Sequence, residues 1–199
     1  MKNKWIFLIL AMVLIFSGCA STKVSRTSTD EVIDLSGRWN DTDARLTAEE
    51  LISDVLSRVW LENFTAREGD KPVVIVGTIR NKSSEHIETV TFVKEIEKEL
   101  INSGKVRFVA SKEEREEVRE ERVDQQSQST EETAAALAAE TGADFMLKGV
   151  ITSITDAIEG KRVVTYKVDM ELIDLESNEK VWIGSNEIKK FIKQSKANW

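Results

Sequence analysis

The apolar positions in residues 41–64 recur every three or four residues, a period typical of one amphipathic helix. The stripe consists of Leu51, Ile52, Val55, Leu56, Val59 and Trp60. Asp41 and Asp43 lie just before it, where they offer an N-cap and negative charge to the start of a helix. We therefore predict a helix that packs its apolar stripe on another layer.

A strand-helix-strand unit is predicted in residues 73–110. The β-branched run Val73–Ile79 is typical of a strand buried on both faces in the middle of a sheet. The segment that follows ends at Gly104 and places five apolar residues on one helical stripe. That stripe consists of Val90, Val93, Ile96, Leu100 and Ile101. A second strand, Val106–Ala110, follows at once, as in crossovers between parallel or nearby strands.

Residues 111–130 are almost entirely charged or polar, with two valines available for burial. Ser111 and Glu114 have the spacing of a capping box, which predicts an exposed helix or a flexible arm, with a binding surface as the alternative. An alanine-rich helix over Ser129–Glu140 is predicted next.

The final third of the chain has strand chemistry, with turn signals at Glu159-Gly160 and Ser177-Asn178. These turns predict a three-stranded meander. Its middle strand alternates apolar and polar residues, so one face is buried and most of the other is wet. The buried set is Val164, Tyr166, Val168, Met170 and Leu172. Trp182, in the last strand, is expected in the core or on a sheet face.

The order of these elements predicts one α/β domain of the α+β type over residues 35–193. We expect a mixed sheet of about five strands, an antiparallel C-terminal meander, and helices packed mainly on one face. Residues 194–199 form a short tail.

Residues 1–18 have the organisation of a secretion signal. Lys2 and Lys4 precede the apolar run Ile6–Phe16, whose 11 residues fall short of the roughly 20 needed to span a bilayer. The run leads to Cys19, the one cysteine of the chain. A plain secreted protein and an uncleaved helix are the alternatives.

The segment Ile15-Phe16-Ser17-Gly18-Cys19 resembles the bacterial lipobox, with phenylalanine where leucine is usual. The resemblance implies cleavage before Cys19, a diacylglyceryl group on its sulfur and an acylated amine, so fatty chains such as palmitate anchor the protein. Ala20 replaces the aspartate that holds enteric lipoproteins at the inner membrane, which favours the outer membrane, facing the periplasm. Residues 19–34, rich in Ser and Thr, are predicted to be a flexible tether of about 55 Å when fully stretched.

The charge balance argues against nucleic acid as a partner, since 28 basic residues stand against 35 acidic ones, a formal charge of −7. Cleavage would remove Lys2 and Lys4 and leave −9. One cysteine excludes an internal disulfide, and one histidine excludes a zinc site of the usual His/Cys kind.

Catalytic chemistry is sparse in this sequence. His86 has Ser83, Ser84 and Glu85 beside it, but a histidine in a loop before a helix is the simpler interpretation. No phosphate-binding loop, nucleophile elbow or metalloprotease motif is present. We therefore predict no enzyme activity, no cofactor and no metal.

Several phrases together resemble one family over about 155 residues: "DLSGRWNDTDAR", "KPVVIVGTIRNKSSEHIET", "EIEKELINSGKVRFVAS", "ETGADFMLKGVITSI" and "KVWIGSNEIKK". They look like the LpoB-type activators of penicillin-binding proteins. The resemblance implies a domain similar to the N-terminal domain of TolB. It also implies an outer-membrane lipoprotein, acylated at the position of Cys19, that binds a class A penicillin-binding protein and stimulates peptidoglycan synthesis.

The tether departs from the long Pro- and Gln-rich tether of the best-known members, because Pro72 is the one proline here. A tether of this length is short for an ordinary periplasm, which leaves four alternatives. Either the synthase extends toward the outer membrane, or the envelope is thinner, or the anchor is in the inner membrane, or the synthase role does not apply to this member. Arg38 and Trp39 are candidate partner contacts, since interfaces favour Trp and Arg. The alternative is that Trp39 folds back as a lid on the core.

Three functions remain open at this level. The leading one is an activator of a peptidoglycan synthase, and the second is a CsgG-like structural or secretion-associated outer-membrane lipoprotein. The third is an envelope hydrolase that depends on His86.

Overall fold

The sheet of this computed structural model has five strands, and four helices accompany them. The strands are β1 (Val73–Asn81), β2 (Arg107–Phe108), β3 (Phe145–Ile158), β4 (Lys161–Asp174) and β5 (Lys180–Lys193). The helices are α1 (Asp41–Val55), α2 (Val59–Glu68), α3 (Thr89–Asn102) and α4 (Lys112–Ser127). The structure describes residues 24–28, 31–127 and 142–193, so the predicted helix Ser129–Glu140 and tail 194–199 lie outside the described residues.

The strand order is β2-β1-β3-β4-β5. Strand β1 pairs in parallel with β2 and β3, which confirms the predicted crossover and the interior position of β1. Strands β3, β4 and β5 pair antiparallel, as predicted for the meander. Its turns place Gly160 and Asn178 at positive φ, of 72° and 62°. The predicted class, a single α+β domain with a mixed sheet, is confirmed.

Strand β4 determines which side of the sheet becomes the core. Its five predicted core residues, from Val164 to Leu172, are all about 1% exposed. They face the helices, and we call this side the helical face. The odd-numbered residues of β4 point to the opposite side and stay at least partly exposed. We call that side the open face.

The first predicted helix is wrong in its length, because residues 41–64 form two helices instead of one. The chain turns at Leu56–Arg58, where Arg58 is extended. This break lets the indole of Trp60 donate to the Val55 carbonyl (2.7 Å), which lies at the end of α1, and pack edge-on against Phe145. Val59, assigned to the buried stripe, is therefore exposed instead.

Helix α3 also differs in part from its predicted stripe. Ile96 and Leu100 are buried, but Val90 and Ile101 are exposed, and Phe92, absent from the predicted stripe, is fully buried. The helix is rotated from the predicted stripe because Phe92 packs edge-on against Trp39 from the segment before α1.

Two strand predictions need correction. The run Val73–Ile79 is not buried on both faces along its whole length: on the open face Ile75 is only partly buried and Thr78 is exposed, because no helix among the described elements covers that part of the face. The strand predicted at Val106–Ala110 shortens to Arg107–Phe108, since it is an edge strand that pairs on one side with β1.

The capping box predicted at the start of α4 is confirmed. Ser111 N–H donates to the Glu114 carboxylate (2.9 Å), and Glu114 N–H donates to the Ser111 hydroxyl (3.3 Å). Lys94 of α3 bridges Glu97 and Glu114 at 2.7 and 2.8 Å, which links α4 to α3. Hydrogen bonds from Lys94 and Ser111 lower the pKa of Glu114 to about 2.

All described core residues, with the partly buried ones packed against them, lie between Trp39 and Ile192, inside the compact unit Ile33–Trp199. This unit therefore holds its own hydrophobic core, and we expect it to fold without the preceding residues. No described helix is long and apolar enough to cross a membrane.

Replacing Trp182 tests the link between β5 and α1. Its indole donates to the Asp54 carboxylate (2.8 Å), which Arg58 also contacts. Burial raises the pKa of Asp54, but the bonds from Trp182 and Arg58 outweigh it and lower the pKa below 3.8. We expect Trp182→Phe to lower the free energy of unfolding by about 1–2 kcal/mol at neutral pH, measured by urea denaturation.

The matched control is Arg58→Ala, which removes the exposed partner of the same carboxylate and should cost less than about 0.5 kcal/mol. Because the pKa of Asp54 is depressed in the fold, its stabilising contribution is present above pH 3.8 and lost as the pH falls through its folded value. A Trp182→Phe variant as stable as the wild type would contradict this role.

Candidate functional site

A buried lysine fixes the point where the chain joins the domain. Lys190, 7% exposed on the helical face of β5, donates from Nζ to Asp34 Oδ1 (2.5 Å), Asp43 Oδ2 (2.6 Å) and the Arg38 carbonyl (3.0 Å). Asn40 completes the cluster: it caps α1 through Asp43 N–H (3.0 Å) and donates from its amide to Asp34 (2.9 Å). Residues 34–43 are thereby held against β5.

Burial by itself lowers the pKa of Lys190. The hydrogen bonds and charges of Asp34 and Asp43 outweigh that effect, so the pKa lies above its ordinary 10.5. Lys190 is therefore charged at any physiological pH, and the buried carboxylate of Asp43 keeps a permanent cation beside it.

Trp39 lies half-buried on the core, as the lid interpretation predicted. Its ring contacts Phe92 and Tyr166 edge-on, with ring centroids 6.1 and 5.7 Å apart. The backbone N–H of Trp39 donates to the Glu85 carboxylate (3.4 Å). Arg38, the other candidate contact, is exposed. The two predicted site residues thus lie side by side but differ: Trp39 packs inward, and Arg38 reaches solvent.

Gly37 makes this close approach possible. It has φ of +69°, and a Cβ atom there would lie 2.4 Å from the Ile192 side chain. The Tyr166 hydroxyl donates to the Gly37 carbonyl (3.4 Å). Burial, followed by the carboxylate of Glu85, raises the pKa of Tyr166, so the phenol remains a neutral donor.

The other residues considered for chemistry do not converge. His86 is exposed, whereas Ser83 donates to Asn81 and to the Glu85 carbonyl. Cys19 lies outside the described residues.

The open face carries a cavity that the sequence did not reveal. Its volume is about 350 Å³, and it lies across β1, β3, β4 and β5. Three cations line it, Arg80, Lys82 and Lys148, together with apolar side chains that include Val150 and Ile183. The alternation of β3 and β5 could have indicated the outward face, but only the strand order brings β1 next to β3.

The cations of this cavity are uncompensated. Within the described part of the chain, no side-chain hydrogen bond or ion pair engages Arg80, Lys82 or Lys148. Two acids of β4, Asp169 and Glu171, line the same cavity, and Glu171 lies directly across from Lys148. Each forms its ion pair with another lysine, Asp169 with Lys167 (3.0 Å) and Glu171 with Lys180 (2.5 Å). We call Arg80, Lys82 and Lys148 the cationic cluster.

A register shift in β1 shapes this cavity. The pairing of Val76 with Leu147 is followed by that of Ile79 with Gly149, so β1 has one extra residue there. Such a bulge bends a strand and re-aims its side chains. Beyond it, Arg80 pairs with Val150 and points to the open face.

Lys190→Met tests the buried cluster. Removing the cation leaves Asp43 charged and buried, so we expect a loss of about 3 kcal/mol in the free energy of unfolding, measured by urea denaturation. Because the folded pKa of Lys190 is raised, its contribution is complete below pH 10.5 and is lost as the pH rises through the folded value. The difference from wild type should thus be constant between about pH 6 and 9 and shrink above 10.5.

The matched control is Lys189→Met, which changes the exposed neighbour on the open face and should leave stability within about 0.5 kcal/mol. Equal effects of the two substitutions would contradict the structural role of Lys190.

Comparisons with solved structures find similar folds at low identity. The LpoB C-terminal domain from Salmonella enterica is 18% identical, with 74% of this chain and 99% of that chain covered and a TM-score of 0.45. The Escherichia coli domain is 14% identical with the same coverage and TM-score. The NMR structure of E. coli LpoB is 14% identical, covers 89% of this chain and 87% of that one, and has a TM-score of 0.43.

A comparison with curated protein sequences finds no match. The model of one family does match, that of the peptidoglycan-synthase activator LpoB, over residues 43–188. This range runs from the capping box of α1 into β5 and so includes four complete strands and most of the fifth. The chain therefore belongs to the LpoB family.

Proposed function

We propose that this protein is a lipid-anchored envelope protein that binds a class A penicillin-binding protein through its open face and activates peptidoglycan synthesis. The family match over residues 43–188 supports a role as a synthase activator. In this proposal the protein is a regulatory binder without catalysis of its own. The observation that carries the docking surface is the cationic cluster beside exposed apolar side chains, on a sheet face that no helix covers within the described residues.

The size of the open face suits a protein partner. Strands β3, β4 and β5 have 14 residues each. At about 3.4 Å per residue and about 4.8 Å between strands, these three strands present a face about 45 Å long and about 14 Å wide, or about 630 Å². The shorter β1, of 9 residues, extends this face toward the roughly 800 Å² that one partner contributes to a standard interface.

The charge of the open face defines what its partner must offer. The chain as a whole is acidic, at −7, yet the cationic cluster faces solvent without acidic partners among the described residues. Desolvating three cations is costly unless carboxylates meet them. We therefore expect acidic side chains on the synthase surface that covers Arg80 and Lys148, and aliphatic ones over Ile183.

Arg38 and Trp39 remain proposed as a second contact. Arg38 is exposed beside the half-buried Trp39, and its backbone is held by Lys190. A rigid backbone reduces the entropy that an interface arginine loses on binding.

The proposed anchor is Cys19, after cleavage of residues 1–18, with acyl chains in the outer membrane. The compact unit begins at Ile33, so 13 residues lie between it and Cys19. This stretch reaches at most about 50 Å. The domain is therefore expected to stay close to the membrane that holds it, so that the synthase has to approach.

Cys19→Ser tests the anchor. The wild-type protein should incorporate a palmitate analogue in cells and remain in the membrane fraction, because several acyl chains hold a protein at a bilayer. The Cys19→Ser variant should incorporate none. An unlabelled wild-type protein that washes free would exclude lipidation, and it would leave docking to be decided by the next experiment.

Charge reversal on the open face tests docking. The domain without residues 1–19 should bind the class A penicillin-binding protein of its own organism and raise its glycan polymerisation. Arg80→Glu with Lys148→Glu should weaken binding at least about 100-fold, since like charges then face the partner's carboxylates. The readouts are the dissociation constant and the polymerisation rate, at low and high salt.

The matched control for this pair is Lys105→Glu, an exposed charge just before β2. It should leave binding within about twofold, and Arg38→Glu in the same assay tests the second contact. A double variant that binds like wild type would exclude the open face as the docking site, and a wild type without any binding would exclude this synthase as the partner.

A further inference from the structure

The far end of the meander exposes three large apolar side chains on the open face. Ile154, Ile158 and Phe191 are 75%, 77% and 63% exposed. Ile154 and Ile158 point to the same side of β3. Phe191 of β5 lies on that side opposite Val163 of β4, in the row of Asp156, the residue midway between the two isoleucines. We call these three exposed residues the tip patch. Its members lie at the opposite end of β3 and β5 from Lys148 and Ile183 of the cavity.

Basic residues surround the tip patch, although the chain as a whole is acidic. In the row of Ile158, Lys161 of β4 and Lys193 of β5 follow across the sheet. In the row of Ile154, Thr165 of β4 comes next and Lys189 of β5 after it. These three cations stand against Asp156 on the same face and Glu159 in the turn after β3. None of the three lysines has an ion pair within the described residues. Apolar side chains ringed by lysine are the composition of surfaces that lie at the boundary of an anionic bilayer.

The chain joins the domain at this same end. Asp34 and the Arg38 carbonyl are held by Lys190, the residue next to Phe191. Gly37 lies against the side chain of Ile192, one residue further. A segment of 13 residues separates Cys19 from Ile33, so an anchor at Cys19 would hold this end of the domain near its membrane.

We infer that the tip patch docks on the anionic phospholipid surface of the membrane that carries the anchor. This inference rests on the proposed lipid anchor, which brings the tip patch close to the membrane, but the contact with the lipids is made by the domain. Ile154, Ile158 and Phe191 enter the headgroup boundary, and Lys161, Lys189 and Lys193 meet lipid phosphates. Docking by the tip leaves the cationic cluster, at the other end of the open face, turned away from the bilayer.

Vesicle binding tests the contact without the lipid anchor. The probe is the unlipidated chain from Ala20 onward, sedimented with vesicles of phosphatidylethanolamine and phosphatidylglycerol (7:3) or of phosphatidylcholine alone. We expect binding to the anionic vesicles only, weakened severalfold when salt rises from about 50 to 300 mM. Ile158→Ser with Phe191→Ser should weaken binding at least about tenfold, and each Lys→Gln change at Lys161 or Lys193 about fivefold.

The matched control is Ile183→Ser, which is equally exposed on the open face but lies at the other end of the sheet. It should bind vesicles like wild type. All these side chains are exposed, so unchanged urea midpoints should accompany every result.

Three outcomes would overturn the inference. The first is no binding of the wild type to anionic vesicles, or equal binding by the Ile158/Phe191 double variant. The second is binding only after removal of residues 20–32, which would mean that this segment covers the patch. The third is a dimer in sedimentation velocity that the double variant dissolves, which would make the patch a contact between copies. Each outcome is independent of palmitate labelling and of synthase binding, so failure here is distinguishable from failure of the proposed function.

Discussion

The alternation along β4 is the constraint on which the rest of the structure depends. Its even-numbered residues from Val164 to Leu172 form the floor of the core, and 27 cross-strand pairs align β3 and β5 with it. Because side chains alternate strictly along a strand, this register also decides what every other residue of the meander faces. The helices cover one face, and the second face is left with its charged and apolar side chains partly in water.

Lys190 holds the segment before α1 against β5. A lysine at this depth requires carboxylates, and they come from Asp34 and Asp43, on either side of the turn that begins α1. The same contacts hold the backbone around Arg38 and Trp39. The residues at which the chain enters the domain are therefore held in place close to the end of β5. The residues before them are rich in Ser and Thr, a composition typical of a flexible tether.

The open face then divides into two ends with different chemistry. One end has the cavity with the cationic cluster and Ile183, the other has the tip patch beside the joining point. In the proposed function, this arrangement would keep one end of the domain near the membrane and would present the charged end to the synthase. Trp39, a candidate partner contact by composition, packs half-buried against Phe92 and Tyr166.

The sequence by itself determined the α+β class, the crossover, the capping box at Ser111, the meander and its buried set, because these depend on local periodicity and turn chemistry. The family phrases and the lipobox-like segment were also readable there. Only the tertiary structure decided the break between α1 and α2, the burial of Phe92 and the roles of Lys190 and Trp39. It also decided the cavity, since Arg80 and Lys148 are 68 residues apart and meet through the pairing of β1 with β3. Long-range pairing has no local signature, so a partner-binding surface built across strands cannot be read from the spacing of its residues.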